Sequence, residues 1–566
     1  MDNLKLIECV PNFSEGRDMA IIKQITDAIE SVDGVRLIDV DPGKATNRTV
    51  VTIVGTPDEV CEAAFRAAKK ASELIDMSKH SGAHPRFGAT DVCPLVPVSN
   101  ITMEEVVVYA RKLAKRIGEE LQIPVYCYES AATEEKRRNL ANCRSGEYEG
   151  LPKKLQDAAW KPDFGPAKFN AKSGAIAVGA RNFLIAYNVN LNTTSTRRAN
   201  AVAFDIREKG RPVRVGNQVT GKIALDEKGD EVWNSGALKA CKAIGWFIEE
   251  YGIAQVSINL TDITITPLHV AFEEASKKAV ERGLRVIGSE LVGVVPLKAM
   301  LDAGKYFLGK QQRSTGISEK EIIKIAVKSM GLDELSSFDP EKKIIEYILR
   351  DRSKKKLIDL TIDGFANETA SESPAPGGGS ISACMGAFGA ALGTMVANLS
   401  AHKAGWDERW KEFSDWADKG KFYMDQLINL VDEDTNAFNK IMDAFSLPKG
   451  NDEEKAARKK AIQDATLYAT EVPFKVMTLC YESMAVMKAM AEIGNPNSVT
   501  DAGVGALAAR SGVLGAFLNV KINASGLDDK AVVARFLTEG QTIADKTIDL
   551  EKEVLVIVEN KIMGKK

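Results

Sequence analysis

Asp351-Arg352-Ser353-Lys354-Lys355-Lys356 separates two stretches of chain that follow different periodicities. Upstream of it, short apolar and β-branched runs alternate with helical spacing. Residues 4–10 read as a strand, and Ile21, Ile22, Ile25 and Ile29 share one helical face. Strands at 35–40 and 49–54 flank the turn-like Asp41-Pro42-Gly43. Then come a helix marked by Ala63, Ala64, Ala67, Ala71 and Leu74, a buried run at 92–98, a helix over 103–120 and a strand at 124–128. This strand-helix-strand-strand-helix-strand order predicts a split βαβ, ferredoxin-like layer with helices against one face. A second pass of the same type begins near Phe183. Its strands are expected at 183–191, 255–260 and 285–287, and its helices around 195–208, 237–251 and 267–282. Polar residues 209–236 read as a loop insertion or hairpin, and 317–350 as a helical appendage.

Downstream of the charged hexapeptide, strand signals fade. Long helical periodicities occupy 407–444, 453–493, 498–522 and 529–561, with Trp410, Phe413 and Trp416, then Phe438, Ile441 and Met442, at helical intervals. Pro473 is expected to kink or break its helix, because it lacks an N–H and crowds the preceding turn. The expected fold is therefore α+β, two split-βαβ subdomains at 1–182 and 183–350, then a linker at 351–356 and an all-α helical bundle at 357–566.

The 566 residues are 45% hydrophobic and 27% charged, enough apolar material for real cores, so a disordered or fibrous chain is excluded. The 75 basic residues nearly cancel the 78 acidic ones without a basic block, which argues against nucleic acid as a partner. Eight scattered cysteines form no Cys-x-x-Cys pair, so neither a disulfide framework nor a zinc ribbon is expected. The N-terminus carries Asp2 and no long apolar run, which gives no signal peptide and points to the cytoplasm. Residues 373–401 lack Asp, Glu, Lys and Arg but are rich in Gly, Ala and Ser. Their weak transfer free energy favours a buried helix over a membrane span.

Three segments of the front half carry the residue types of proton chemistry and ligand contact. The loop Lys79-His80-Ser81-Gly82-Ala83-His84-Pro85-Arg86 holds two of the four histidines, side chains that exchange protons near neutrality. It reads either as a catalytic loop or as a surface loop with incidental histidines; a metal site is not expected, since its ligand count falls short. Asp41 sits at a strand end, where it either orients a histidine or forms a turn. Asp163-Phe164-Gly165-Pro166 and the glycine-rich 173–181 would let backbone amides approach a flat or anionic ligand. In the rear half, Pro374-Ala375-Pro376-Gly377-Gly378-Gly379-Ser380 leads into a helix, a pattern suited to anions but without a P-loop ending. Leu430-Val431-Asp432-Glu433-Asp434 places three carboxylates in a helix; either one acid faces inward with a raised pKa, or all lie on a solvated face.

Taken together, these motifs resemble the bifunctional formimidoyltransferase-cyclodeaminase family. The resemblance runs through Glu8-Cys9-Val10-Pro11-Asn12-Phe13-Ser14-Glu15-Gly16, Asn47-Arg48-Thr49-Val50, His84-Pro85-Arg86, Gly146-Glu147-Tyr148-Glu149, Leu151-Pro152-Lys153-Lys154-Leu155, Asp163-Phe164-Gly165-Pro166, Ala375 to Ser380, Leu430 to Asp434, Gly494-Asn495 and Asn519-Val520. It covers nearly the whole chain. The resemblance implies transfer of the formimino group of N-formimino-L-glutamate to N5 of tetrahydrofolate, then cyclisation to 5,10-methenyltetrahydrofolate with loss of ammonia. It implies His84 as the transferase's catalytic histidine, Asp41 as its companion and Asp434 as the catalytic acid of the bundle. The implied folate stretch is Gly165, Pro166, Ala167, Lys168, Phe169, Asn170, Ala171, Lys172, Ser173 and Gly174, and Gly377, Gly378, Gly379 and Ser380 are inferred contacts for folate oxygens. Tetrahydrofolate, polyglutamylated, is the expected one-carbon acceptor, no metal is expected, and the family's rings of subunits imply a homo-oligomer with 381–399 as an interface. A formyl donor in place of the formimino donor, or a folate-binding scaffold without catalysis, are the alternatives.

Overall fold

The structure is a computed structural model that describes residues 4–43, 47–82, 86–216, 221–249, 251–335, 337–350 and 356–564. Of the expected linker 351–356, only Lys356 lies among the described residues. The chain divides into two compact units. One comprises Met1–Ala303 with Ala326–Arg350, the other Gly304–Ile325 with Asp351–Lys566.

The first unit holds two principal sheets. In the larger, β1 (Leu6–Cys9) and β2 (Asn12–Phe13) act as one strand interrupted at Val10-Pro11, since each pairs antiparallel with both β4 (Arg48–Gly55) and β5 (Thr90–Ser99). The interruption stays hydrogen-bonded: Val10 N donates to Pro94 O and Val51 N to Pro11 O. Strand β3 (Arg36–Gly43) borders β4 antiparallel, while β6 (Val125–Glu129) and β7 (Ile176–Ala180) add parallel strands beyond β5 in the order β5-β7-β6. Helices α1 (Met19–Glu30), α2 (Pro57–Leu74) and α3 (Met103–Glu120) bury Ile22, Ile25 and Ile29, then Val60, Ala63, Ala67 and Ala71, then Val106, Ala110, Leu113 and Ile117. These are 3–4 spacings that line one helical face. Asp18 caps α1 and the Thr102–Glu105 capping box starts α3, each worth about 1 kcal/mol. Two short helices, α4 (Leu140–Arg144) and α5 (Glu147–Lys154), lie between β6 and β7 in sequence.

The second sheet is built from β8 (Ile185–Leu191), α6 (Thr196–Ile206), a small hairpin of β9 (Arg211–Pro212) and β10 (Trp233–Asn234), then β11 (Cys241–Ile248), β12 (Ile253–Leu260), α7 (Leu268–Val280) and β13 (Val286–Val292). It runs β11-β12-β8-β13, all antiparallel. In chain order that is second-third-first-fourth, the same as β3-β4-β1-β5 in the first sheet. The segment 209–236 is thus a hairpin inserted between α6 and β11.

Two sequence expectations fail here. Residues 237–251 are not helical: Cys241, Ala243 and Gly245 point inward and Lys242, Ile244 and Trp246 outward, a period of two. Gly245 lies so close to α6 that a Cβ would stand 2.2 Å from Asn200 N, which side-chain-bearing helix could not allow. The glycine-rich 173–181 is not an open ligand loop either, because Ile176–Ala180 is a fully buried parallel strand.

The second unit contains a bundle whose long helices are α8 (Gly378–Ala401), α9 (Trp410–Ser446), α10 (Asp452–Ile493), α11 (Val499–Ala524) and α12 (Lys530–Ile562). The small residues of α8 let it approach its neighbours closely. A Cβ on Gly386 would meet Cys480 Sγ of α10 at 2.2 Å, and one on Gly389 would meet Gly505 O of α11 at 2.7 Å. Both α8 and the Pro496–Ala524 segment are long and apolar enough to cross a membrane, with mean hydropathy 1.5 and 1.3, but burial within the bundle accounts for this composition. Segment 304–325 also belongs to this unit: Thr315 N donates to Ser414 Oγ at 3.0 Å, Asn398 Nδ2 to Gly316 O at 2.9 Å, and Gly316 abuts Ala417.

Pro473 neither breaks nor ends α10, which runs 42 residues through it. The carbonyl that the missing N–H would leave without a partner is that of Ala469, four residues back. Asn523 of α11 donates its amide to that carbonyl at 2.6 Å. A side chain of the neighbouring helix replaces the lost backbone bond, so the helix continues.

Candidate functional sites

On α9, Leu427, Leu430, Val431 and Ala437 form the buried stripe, and Asp434 falls on the same face at the i+7 position from Leu427. It occupies a place where the helix otherwise puts apolar side chains. The three clustered carboxylates therefore part company. Asp432 accepts Leu357 N at 2.6 Å, Glu433 accepts the Tyr468 hydroxyl, and Asp434 faces the start of α8. Ser380 Oγ donates to Asp434 Oδ2 at 3.0 Å, and Thr435 Oγ1 lies 3.4 Å from Ser380 Oγ. A Cβ on Gly379 would stand 2.0 Å from Asp434 Oδ1, so the carboxyl is seated on a backbone that only glycine offers. Burial pushes the Asp434 carboxyl above the ordinary carboxylate range, while the Ser380 hydroxyl and backbone N–H pull it part of the way back.

Around this carboxyl opens a cleft of about 170 Å³ lined by Pro374, Ala375, Gly377, Gly378, Asp434, Thr435, Phe438, Ile441, Ala469, Asn519 and Asn523. The two asparagines stand one turn apart on α11, and each gives one N–H of its NH₂ to a helix carbonyl, Gly515 O and Ala469 O. That leaves an amide oxygen and an N–H on each asparagine, a carboxyl and an apolar wall from Phe438 and Ile441 as the chemistry of the cleft. It suits an aromatic ligand bearing N–H groups. The structure thus brings together Gly377, Gly378, Gly379, Ser380 and Asp434, which sequence reading had named separately, and adds Asn523. The signal for Asn523 was its pairing with Pro473, which no linear pattern displays.

In the front unit, His84 lies outside the described residues, but both its flanks are tied down. Upstream, Asn47 Nδ2 donates to Ser81 O at 2.9 Å, Asn47 O lies 2.8 Å from His80 Nε2, and Gly16 N donates to Asn47 Oδ1 at 3.0 Å. Burial pulls the His80 imidazole below its ordinary value. Downstream, Arg86 accepts Tyr148 N on its carbonyl at 2.8 Å, donates to Met77 O at 3.1 Å, pairs with Glu149 and lies 5.2 Å over the Tyr148 ring. Asp41 is exposed near the end of β3, opposite Val50 and two residues along from the Gly43–Arg48 pair.

The stretch Gly165–Gly174 has pinned ends and an open middle. Gly165 and Gly174 both take positive φ, and each packs against backbone: a Cβ would lie 2.2 Å from Ile123 O or 2.4 Å from Phe87 O. Between them Ala167, Lys168, Ala171 and Lys172 are exposed, and Pro166 is half-buried. The Phe169 ring lies 5.4 Å from that of Tyr148, whose hydroxyl donates to Ala171 O at 2.6 Å. Asn170 caps the turn by accepting Ser173 N at 2.9 Å. Tyr148 therefore joins the Arg86 segment to this stretch, so three motifs far apart in sequence meet. Sequence reading missed Asp91, Arg144 and the buried role of Lys154; the visible signal was Asp91 beside the apolar run 92–98.

The chain matches the formiminotransferase domain, N-terminal subdomain, over residues 6–181, the formiminotransferase domain over 186–350, and formiminotransferase-cyclodeaminase over 361–542. It is 43% identical to the formimidoyltransferase-cyclodeaminase of Mus musculus over 526 residues, 93% of each chain. With that of Dictyostelium discoideum it shares 43% over 559 residues, 98% of this chain and 99% of the other. The glutamate formimidoyltransferase of Streptococcus pyogenes serotype M1 is 42% identical over 304 residues, 54% of this chain and 93% of that one. Similarity of this extent, spanning both units, makes the chain a member of the formimidoyltransferase-cyclodeaminase family.

Proposed function

We propose that the chain moves the formimino group of N-formimino-L-glutamate to N5 of tetrahydrofolate, releasing glutamate, and then closes 5-formiminotetrahydrofolate to 5,10-methenyltetrahydrofolate, releasing ammonia. The observation that carries this reading is the cleft that a burial-shifted Asp434 shares with two asparagine amides and an apolar wall, in a chain similar along both halves to bifunctional relatives.

In the first step N5 attacks the formimino carbon and the C–N bond to glutamate breaks. One proton leaves N5 and one reaches the departing glutamate nitrogen. We assign this shuttle to His84, with Asp41 orienting it, because an imidazole gives and takes protons at neutral pH. Residues Gly165 to Gly174 are assigned to folate; their exposed middle supports this. In the second step N10 attacks the same carbon, and the former imino nitrogen gains two protons, the one N10 loses and one from an acid, and leaves as ammonia. Asp434 is assigned as the acid, since burial raises its carboxyl and so favours the protonated, donating form. Gly377, Gly378, Gly379 and Ser380 hold that carboxyl and border the ligand. The test mixes purified protein, tetrahydrofolate and formiminoglutamate and follows the near-ultraviolet band of the methenyl product. No band, or a band only with 5-formyltetrahydrofolate as donor, would reject the reading.

Both sheets of the front unit are read as ferredoxin-like split βαβ layers, supported by their shared strand order. The chain is proposed to assemble with copies of itself. On α8 the small residues are spent inside the bundle, while Met385, Phe388, Met395 and Leu399 are exposed at spacings of 3, 7 and 4, and Val504, Leu507, Leu518 and Ile522 are exposed on α11. Light scattering should give a mass above that of one chain, and Leu518→Lys with Ile522→Lys should lower it. The eight free thiols, six of them buried, support the cytoplasm as its compartment.

A further inference from the structure

Arg48, Asp91 and Arg144 make a charged cluster that neither proposed step uses. Asp91, the second residue of β5, is fully buried, and one of its oxygens, Oδ2, receives both Arg48 Nη1 and, at 2.9 Å, Arg144 Nη2. Its other oxygen, Oδ1, is buried with no hydrogen-bond partner among the described residues. Two guanidiniums thus share a single carboxylate oxygen. Burial and the neighbouring Arg144 pull the Arg48 guanidinium down to about 9. The exposed Glu147 also attracts Arg144.

The cluster is held rigidly. Arg48 Nε donates to Asn12 Oδ1 at 3.1 Å. Lys154 Nζ donates to the carbonyls of Asn142, Cys143 and Ser145 at 3.0, 2.5 and 3.2 Å, which fixes the end of the helix that bears Arg144. The side chains of Arg48 and Arg144 are 11% and 17% exposed and that of Asp91 0%, so the guanidiniums lie on the open side with the carboxylate behind them. The cluster also borders the His84 segment on both flanks. Asn47, beside Arg48, holds His80 and Ser81, and Tyr148, four residues beyond Arg144, holds Arg86.

We propose that Arg48 and Arg144 clamp the α-carboxylate of the glutamyl substrate, with Asp91 holding the two guanidiniums in register. The inference rests on the transferase reading above and deepens it. A planar guanidinium pair matches a carboxylate. The α-carboxylate is the one chosen because it shares a carbon with the nitrogen that leaves, and the cluster borders the His84 segment assigned to that nitrogen.

The test is titration calorimetry on the full chain with L-glutamate, its α-amide isoglutamine and its γ-amide glutamine, with tetrahydrofolate titrated separately. Isoglutamine should bind at least tenfold more weakly than glutamate, and glutamine should lose less. Arg144→Lys should weaken glutamate at least tenfold and leave tetrahydrofolate within twofold. No glutamate binding, isoglutamine as tight as glutamate, a greater loss for glutamine, or equal losses of glutamate and folate in Arg144→Lys together with a lower Tm would each overturn the clamp. Failure of the transferase reading would look different: glutamate discrimination intact, but no methenyl band in the coupled assay.

Discussion

Asp434 and Asp41 are both carboxylates assigned to proton chemistry, yet the two units hold them by different means. Asp434 is placed by regular geometry, on the buried stripe of one helix and against the glycine-rich first turn of another. Asp41 is an exposed residue near a strand end, and the segments around it are stitched by single hydrogen bonds from Asn47, Gly16 and Tyr148. The rear site should therefore be sensitive to volume and the front site to loss of individual polar contacts.

The largest expected effect separates the two sites. Asp434→Asn should slow cyclisation by roughly 10²–10⁴-fold while formimino transfer continues and 5-formiminotetrahydrofolate accumulates; His84→Ala should do the reverse with supplied intermediate. Single-turnover absorbance traces check this, and one substitution that slowed both steps equally would erase the contrast. Next in size, Gly379→Ala puts a methyl 2.0 Å from Asp434 Oδ1. Displacing the carboxyl by about 1 Å should cost roughly 10²-fold in cyclisation without touching transfer.

A smaller effect falls on stability. Asn523→Ala leaves the Ala469 carbonyl unpaired beside Pro473 and should cost about 1–3 kcal/mol in urea unfolding of the bundle. In a Pro473→Ala background a restored backbone N–H reaches that carbonyl, so the same change should cost markedly less; equal costs in both backgrounds would refute the coupling. The smallest effect is a pH trend. The Asp434 carboxyl is raised above its ordinary value of 3.8, so between those two values the folded chain keeps a proton that the unfolded chain has released. Stability then falls as pH rises through that window, and the cost persists above it. Asp434→Asn carries no such burden, so its stability relative to the parent should grow as the pH rises above about 4. A relative loss as the pH rises would contradict the raised carboxyl.

What could be read from the sequence follows the same divide. The spacing of Leu427, Leu430, Val431 and Asp434 makes an inward acid visible, because a helix repeats every 3.6 residues and packing enforces it. The alternating elements of the front unit are visible for similar reasons. Strand β11 is not, since Lys242, Ile244 and Trp246 hide a two-residue alternation among small residues that also suit a helix. Pro473 misleads because its remedy sits fifty residues away on another helix. Asp91 is hard to weigh because a lone acid at the head of a buried strand gains meaning only when Arg48 and Arg144 arrive from elsewhere.

Segment 304–325 carries a practical consequence for anyone dividing this polypeptide. The charged hexapeptide 351–356 invites a scissors cut, but a rear fragment begun there would be amputated. The surface around Ser414, Ala417 and Asp418 would lose Thr315 and Gly316, the residues that cover it. A free-standing version needs a graft for that missing strip, and a bare fragment from 357 onward should be less soluble than the intact chain.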